Sequence, residues 1–380
     1  MIPFNRPFMT GRELEYIAEA HGLGHLAGNG SFSKRCSRWL EERVGSTKAL
    51  LTHSCTAALE MAAILGNIGE GDEVIMPSFT FVSTANAFAL RGATPVFVDV
   101  RADTLNIDEK LIESAITPAT RAVVAVHYAG VGCEMDTIMD IARRHGLLVI
   151  EDAAQALMAD YRGRPLGGFG DLAALSFHET KNVISGEGGA LLINDEEFVD
   201  RAEVVWEKGT NRSRFFRGQV DKYTWVDLGS SYLPGEIVAA FLWAQMEEAS
   251  SITSRRLTTW RRYHEAFADL ENEGLLRRPI VPDHTTHNAH MYYLLLPSIA
   301  ARTALIERLG HAGIMVVFHY VPLHSSPFGR AVGRTRGALP ITDSVSERLV
   351  RLPMWIGIDE HLDRVIDEVR TAVRAVARQT

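Results

Sequence analysis

Short apolar runs alternate along the chain with longer segments of helical periodicity. Seven runs predict strands: KALLTHS (48–54), EVIMPS (73–78), TPVFVDV (94–100), RAVVAVHY (121–128), GLLVIED (146–152), LAALSF (172–177) and GGALLI (188–193). Helical patterns fill the spaces between the first five runs. Alternating strands and helices indicate βαβ units, and runs such as VVAV and LLVI suit strands buried on both faces. The pattern therefore predicts an α/β protein with a large, mixed and mostly parallel sheet.

The pattern changes after the seventh run. The other predicted elements are helices at 13–21, 33–44, 195–206, 237–271 (bent near Ser250 and Ser251), 302–312 and 361–378, strands at 291–297 (MYYLLLP) and 314–322 (IMVVFHYVP), and a polar loop at 208–236. Beyond about residue 275 the βαβ order is lost. We therefore predict a large α/β domain over residues 1–255 and a small C-terminal α+β domain over residues 256–380.

Composition and charge narrow the classes of function. The 380 residues are 46% hydrophobic and 23% charged, as in ordinary globular proteins. A formal net charge of −8 argues against bulk attraction to nucleic acid or to an anionic membrane. No run approaches the roughly 18–20 apolar residues that span a bilayer, and the N-terminal residues lack the apolar core of a signal peptide. Cys36, Cys55 and Cys133 form no CxxC pair. This fits a reducing compartment, so we expect a cytoplasmic protein without membrane insertion or nucleic-acid partners.

The last two predicted strands enclose a polar crossing that contains a lysine. Ser176, His178, Lys181 and Asn182 lie within seven positions between apolar runs. Asp152 ends another predicted strand, at the edge where open α/β sheets bind ligands. Pyridoxal 5'-phosphate (PLP) needs a lysine for a Schiff base and a carboxylate that keeps its pyridine nitrogen protonated. We therefore predict PLP at this edge. The alternatives are a hairpin with a polar tip and, for Asp152, a helix N-cap.

A strand-to-helix junction offers a phosphate site. In HSCTAALE (53–60) the first turn of a helix presents free N–H groups and the positive end of its dipole. Cys55 and Thr56 are the candidate ligands there, with Ser176 as a third. Helix capping alone is the alternative for the junction.

Two further residues are candidates for contact with the cofactor ring. Gln155, three residues after Asp152, is placed to hydrogen-bond the phenolic oxygen. Phe81 follows a strand end in PSFTFVSTANA, where an aromatic ring can stack on the pyridine face. A core position is the alternative for Phe81. Strand alternation turns Glu151 to the opposite side from Asp152.

Cations and aromatic side chains alternate in the polar loop. They are Lys208, Arg212, Arg214, Phe215, Phe216, Arg217, Lys222 and Tyr223. Such a mixture suits a diphosphate and a base, although a solvated loop is the alternative. Lys208, Arg212 and Arg217 are therefore candidate substrate contacts.

The segment HYVPLH contains His319, Tyr320 and His324. No Cys or carboxylate stands nearby at the spacing of metal ligands, so we predict no metal site. Tyr320 and His324 are candidates for substrate contact, with simple packing as the alternative.

Seven segments together resemble the DegT/StrS family of PLP-dependent sugar-nucleotide aminotransferases. They are SCTAAL, PSFTFVSTANAF, GATPVFVDV, EDAAQA, SFHETKN, GEGGAL and HYVPLH, and they occur in the family's order through nearly the whole chain. The resemblance implies the fold-type I, aspartate aminotransferase-like architecture. It also implies a homodimer whose active sites lie at the subunit interface.

The resemblance assigns a role to each matching residue. It implies that Lys181 forms the Schiff base, Asp152 binds the pyridine nitrogen and Gln155 contacts the phenolic oxygen. Cys55, Thr56 and Ser176 match phosphate contacts, and Phe81 matches the stacking ring. The chain departs from the family where GSSYL (229–233) replaces GYNYR. Ser231 stands where an Asn reaches the neighbouring subunit's phosphate, and Leu233 replaces the Arg, which puts substrate contacts from this loop in doubt.

SFHETKN, KGTNR, VDKYTW and GSSYLP are similar to one subgroup, the dTDP-4-amino-4,6-dideoxygalactose transaminases of enterobacterial common antigen synthesis. This similarity implies L-glutamate as amino donor and a dTDP-4-keto-6-deoxyhexose as acceptor. Lys181 would then act as general base, with a pKa lowered by desolvation. Three alternatives remain: an aminotransferase for another keto-sugar nucleotide, a dehydratase of the family, in which a His replaces the lysine, and a PLP-binding regulator without turnover.

Overall fold

The computed structural model describes residues 1–378, and Gln379 and Thr380, at the end of the second predicted domain, lie outside the described residues. The strands are β1 Lys48–Thr52, β2 Glu73–Pro77, β3 Thr94–Val98, β4 Thr120–Val126, β5 Leu148–Asp152, β6 Asp160–Tyr161, β7 Arg164–Pro165, β8 Leu172–Ser176, β9 Gly189–Ile193, β10 Thr285–Thr286, β11 Tyr292–Leu295, β12 Arg334–Thr335 and β13 Leu349–Leu352. The helices are α1 Glu13–Gly22, α2 Ser31–Val44, α3 Cys55–Leu65, α4 Val82–Ala89, α5 Glu109–Ala115, α6 Met135–His145, α7 Val199–Trp206, α8 Arg212–Phe216, α9 Glu236–Glu247, α10 Ala249–Ala266, α11 Ala268–Asn272, α12 Ile299–His311, α13 Pro327–Val332, α14 Pro340–Arg348 and α15 Asp359–Ala377.

An eight-stranded sheet forms the centre of the fold. Its strand order is β1-β9-β8-β5-β4-β2-β3-β12. The six strands β8, β5, β4, β2, β3 and β12 run parallel to one another. By contrast, β9 is antiparallel to both of its neighbours, β1 and β8. All seven strands predicted for this sheet are present, so the predicted mixed, mostly parallel α/β architecture is confirmed. Two smaller sheets, β10-β6-β7 and β11-β13, complete the set.

Helices cover both faces of the large sheet. Val149 of β5 packs in a buried cluster with residues of α2, α6 and α9. Its neighbour Ile150 points the other way, into a second cluster with residues of α3, α4 and α7. Burial on both faces explains why the parallel strands read as continuous apolar runs.

A third apolar cluster lies apart from the sheet. It contains Ile2 and residues between Trp260 and Val376, with β11, β13, α12 and α15 as its main contributors. Such a separate core supports the proposed division into two domains. The proposed boundary at residues 255 and 256 lies inside α10, which continues without interruption across it.

The segment 314–322 is not a strand, so this part of the prediction is wrong. Ile314 and Val317 form only single bridges, to Ile2 and Arg351. Phe318 and Val321 are 51% and 63% exposed. Ile314 and Val316 pack in the third apolar cluster, whereas Phe318 and Val321 line a cavity, so only the first half of the segment has a core face to bury.

The bend in the long helical stretch also differs from the prediction. It falls at Glu248, between α9 and α10, and not at Ser250 and Ser251, which both lie within α10. A second interruption occurs at Phe267. Both residues have φ near −100° and ψ near zero, outside the helical range, so each ends a helix.

Candidate active site

A cavity of about 680 Å³ opens at the carboxyl edge of the large sheet. Its size lies within the roughly 300–1,000 Å³ of small-molecule sites. The sequence-predicted residues that line it are Cys55, Thr56, Phe81, Asp152, Gln155, Ser176, Lys181 and Tyr320. The structure thus brings together candidates from five separate segments of the chain.

Lys181 lies in the crossing between β8 and β9 and is partly buried in the cavity wall. The neighbouring Asn182 fixes this crossing, because its amide donates to the Asn288 carbonyl (2.9 Å) and its Oδ1 lies 3.2 Å from His290 Nδ1. Loss of solvation lowers the pKa of Lys181, and the charge of Arg351 adds to this effect against the opposing influence of Cys55 and Asp152. The expected lowering is confirmed, and it favours the neutral amine that a nucleophile or base requires.

The Asp152 carboxylate is held at the end of β5 by two hydrogen bonds. Thr84 Oγ1 donates to Oδ2 at 2.6 Å, and the Ala154 N–H donates to Oδ1 at 3.2 Å. The Thr84 hydroxyl has one hydrogen, so the Thr80 hydroxyl, 2.9 Å away, must donate to Thr84. This chain of donors orients the carboxylate. The N-cap alternative does not describe it, since the described residues between β5 and β6 contain no helix.

The N-terminus of α3 presents donors to the cavity. The Ser54 side chain caps the Ala57 N–H, which leaves the N–H groups of Cys55 and Thr56 as the first of the helix. The Thr56 hydroxyl is 2.7 Å from that of Ser83. A Cβ on Gly189 would lie 2.5 Å from the Cys55 nitrogen, so only glycine lets the hairpin approach this helix end so closely. The arrangement suits a phosphate group.

The amide of Gln155 is oriented by its neighbours. Its Oε1 accepts from the Ala129 N–H at 2.7 Å, so Nε2 faces the cavity and donates to the Tyr320 hydroxyl at 3.2 Å. An amide so fixed keeps a second Nε2 hydrogen for a ligand oxygen. Phe81 is 57% exposed in the cavity wall, so the core alternative is wrong for this residue.

Five predicted residues do not line the cavity. They are Lys208, Arg212, Arg217, Ser231 and His324. The first four belong to the polar loop, where Arg217 pairs with Glu203 at 2.7 Å. His324 turns away, with Nδ1 2.8 Å from the Ser78 hydroxyl.

The sequence reasoning assigned no role to several residues of the cavity wall, and four of them, all from the C-terminal part of the chain, carry an imidazole or a guanidinium group. They are Arg256, His290, His319 and Arg351. Burial lowers the pKa of both histidines well below the usual value, with a further contribution from nearby cations. Both rings are therefore neutral near pH 7. All four residues come from the second predicted domain, and the signal available for Arg351 was a lone cation in the apolar run LVRLPMW (349–355).

A buried network supports the end of β5 from the other side of the strand. Glu151 and His127 are fully buried and paired at 2.8 Å through His127 Nε2. His127 Nδ1 accepts the Cys133 N–H at 3.2 Å, which places the ring proton on Nε2. The carboxylate also accepts N–H groups of the loop 167–170 at 2.7–2.8 Å. Burial alone would raise the pKa of Glu151, but these donors outweigh it and lower the pKa.

Replacing Glu151 with glutamine is expected to destabilise the fold by roughly 3–5 kcal/mol, because the new amide group faces buried donors. Urea denaturation should show the loss, and the exposed Glu196→Gln should show none. Since the folded pKa of Glu151 is lowered, its stabilisation exists above the unfolded pKa of about 4.3 and disappears as pH falls through the folded value. The free energies of unfolding of the wild type and of Glu151→Gln should therefore converge at acid pH. A variant as stable as the wild type at pH 7 would refute this role.

The described residues yield no group of three His, Cys, Asp or Glu side chains arranged for a metal ion. Within residues 1–378, no helix has the length and apolar character needed to cross a membrane.

Comparison with known proteins gives consistent results. The model of the DegT/DnrJ/EryC1/StrS aminotransferase family matches residues 7–370. The spore coat polysaccharide biosynthesis protein SpsC of Bacillus subtilis is 34% identical over 98% of this chain and 97% of its own length. The aminotransferase TlmJ from Streptoalloteichus hindustanus superposes with a TM-score of 0.90 at 30% identity, over 99% of this chain and 100% of that one. Spr1654 from Streptococcus pneumoniae, provisionally named a sugar aminotransferase and solved in its PLP form, gives 0.90 at 26% identity, over 99% of each chain.

Proposed function

Because the chain belongs to the DegT/DnrJ/EryC1/StrS aminotransferase family, we propose that it transfers the amino group of L-glutamate to C4 of a dTDP-4-keto-6-deoxyhexose. The products are dTDP-4-amino-4,6-dideoxygalactose and 2-oxoglutarate. The chain is a PLP-dependent sugar aminotransferase. The donor, the nucleotide and the galacto configuration are the proposed part, and the subgroup motifs SFHETKN, KGTNR and GSSYLP support them.

The chemical types of the cavity residues match the groups of PLP that they would contact. Asp152 would hold the pyridine nitrogen, the N–H groups of Cys55 and Thr56 with Ser176 would hold the phosphate, and Lys181 would hold the aldehyde carbon. When bound, PLP supplies an electron sink for the carbon that loses or gains a proton. The fit rests on the unused helix N–H groups beside a buried, hydrogen-bonded carboxylate.

Lys181 carries the proton transfers in this proposal. Its Nζ would remove the proton from Cα of L-glutamate and later deliver a proton to C4 of the sugar. The face of C4 that receives the proton sets the galacto or gluco configuration. The Thr84 hydroxyl would hold the Asp152 carboxylate in position while these protons move. The single observation that carries the proposal is that Lys181, with a lowered pKa, and Asp152 line the same cavity.

We further propose a homodimer with shared active sites. The polar loop exposes Phe216, Trp225 and Val226 by 70%, 78% and 53%, which is unusual for side chains facing only water. A neighbouring subunit that covered them would also bring Ser231 and the loop cations toward the second cavity. The unpaired Cys36, Cys55 and Cys133 support a cytoplasmic location.

Purified protein incubated with PLP, L-glutamate and a panel of keto-sugar nucleotides should aminate the dTDP-4-keto-6-deoxyhexose most efficiently. The product's C4 configuration, determined by NMR, should be galacto. The same preparation should sediment as a dimer. A preference for another keto-sugar nucleotide or a gluco product would refute the proposed substrate or stereochemistry. A deoxygenated sugar would indicate the dehydratase, and PLP binding without exchange of amino groups would indicate the regulator.

A further inference from the structure

Arg351, in the cavity wall, has no anionic partner among residues 1–378. Arg351 lies in β13, where the other three residues are buried and Arg351 alone is partly exposed, toward the cavity. Its Nε is buried without a hydrogen-bond partner, and no carboxylate of residues 1–378 pairs with its guanidinium. A guanidinium taken out of water without an anion is costly, so an anionic ligand would stabilise it.

The neighbours of Arg351 fix its position without neutralising it. Its backbone N–H donates to the Val317 carbonyl at 2.7 Å. Its guanidinium carbon lies 4.7 Å from the centre of the Phe4 ring, in a cation–π contact. The neighbouring His290 and His319 are neutral, because burial lowers the pKa of each. The guanidinium is therefore held in place with its donors available.

Arg256, the other arginine of the cavity wall, is different. Its Nε donates to the Ala289 carbonyl at 3.0 Å and its Nη2 to the His290 carbonyl at 2.6 Å. These hydrogen bonds use donors of the Arg256 guanidinium to hold the loop that carries His290. Of the two cavity arginines, Arg351 is thus the one suited to a ligand.

We propose that Arg351 binds the α-carboxylate of the amino donor through a charge-assisted hydrogen-bonded pair. Arg351 and Lys181 line the same cavity, so both side chains face the same space. The α-carboxylate is the donor's acidic group nearest to the reacting amine. Guanidinium and carboxylate match in geometry, and the pair would orient Cα toward Lys181. The inference rests on the proposed function in taking an α-amino acid, L-glutamate, as the donor.

The donor half-reaction tests this proposal without any sugar nucleotide. In stopped-flow spectra of the PLP-loaded protein, Arg351→Gln should lower kcat/KM for L-glutamate about 10- to 100-fold. Arg351→Lys should recover part of the loss. The Kd for α-methyl-L-glutamate, which has no Cα proton to lose, should rise by a similar factor in calorimetry. The matched control is Arg348→Gln, because the Arg348 side chain donates to the Ser344 carbonyl outside the cavity and the variant should behave as wild type.

Two donor amides identify the carboxylate that Arg351 binds. The preference of the wild type for L-glutamate over L-isoglutamine, its α-amide, should shrink about tenfold or more in Arg351→Gln. The preference over L-glutamine, the γ-amide, should stay within twofold. The proposal would be overturned if Arg351→Gln lost the preference over L-glutamine instead of the preference over L-isoglutamine. It would also be overturned if kcat/KM for L-glutamate were unchanged in this variant.

The sugar half-reaction separates this inference from the proposed function. In Arg351→Gln, kcat/KM for the keto-sugar nucleotide should stay within about twofold of wild type. Equal losses in both half-reactions would assign Arg351 to the cofactor or the fold and overturn the inference. Donor effects as predicted, in a protein that aminates no keto-sugar nucleotide, would overturn the acceptor proposal and leave Arg351 in its role.

Discussion

Lys181→Ala is expected to abolish amino transfer, with a loss in kcat of at least about 10⁴-fold. No other lysine of residues 1–378 lines the cavity, so no second amine can hold the cofactor or move the proton. The side chain is replaced at a partly buried position with no hydrogen bond of its own, and the fold should persist. The measurement is steady-state turnover of L-glutamate with the keto-sugar nucleotide.

Trapping provides a readout for Lys181 that is independent of turnover. Borohydride reduction followed by mass spectrometry should find the cofactor mass on the wild-type peptide that contains Lys181, and on no peptide of the variant. Lys34→Ala removes an exposed lysine of α2 and should match the wild type in both measurements. Wild-type turnover in Lys181→Ala, or cofactor attached to another lysine, would sink the assignment.

The strands of the large sheet were predictable because the burial of each strand is visible in its own sequence. Strands covered on both faces must be apolar throughout, and the runs at 73–78 and 121–128 record that requirement directly. The segment 314–322 is equally apolar but forms no strand. Ile314 and Val316 pack in a core, whereas Phe318 and Val321 face a cavity, and apolar character alone does not distinguish these two environments.

The candidate site was predictable where it is built from strand ends. Asp152, Cys55 and Ser176 each stand at the edge of one sheet, so strand direction alone brings them together. Arg351 and His290 reach the same cavity only because the C-terminal part of the chain packs against the large sheet. No local pattern specifies that packing, although a lone arginine within LVRLPMW contradicts its apolar surroundings and marks the position.

The loop candidates show a different limit. Lys208, Arg212 and Arg217 were selected by residue type alone, and within one chain they lie away from the cavity. Their proposed substrate role depends on a second subunit. Single-chain sequence patterns do not contain that arrangement, since they report periodicity and composition but not the face that a partner covers.

Asp152→Asn is expected to lower kcat about 10²- to 10³-fold, the scale of losing one preorganised electrostatic contact. Asparagine has nearly the same shape and can still accept from the Ala154 N–H. It removes the negative charge that would keep the pyridine nitrogen protonated. The Thr84 donor, now bonded to Oδ2 at 2.6 Å, would meet a neutral amide. The fold should survive, because the change affects one carboxylate at the cavity edge.

The pattern of kinetic losses would identify the role of Asp152. A weakened electron sink slows proton removal from Cα of the donor and proton delivery to C4 of the sugar, so both half-reactions of Asp152→Asn should slow together. Arg351→Gln should slow the donor half alone. Asp140→Asn, which alters an exposed carboxylate paired with Arg143 and Arg144, should leave both unchanged. Near-normal kcat in Asp152→Asn with full cofactor occupancy would show that the charge of Asp152 is not needed. The electron-sink assignment would then fail even if Lys181 proved essential.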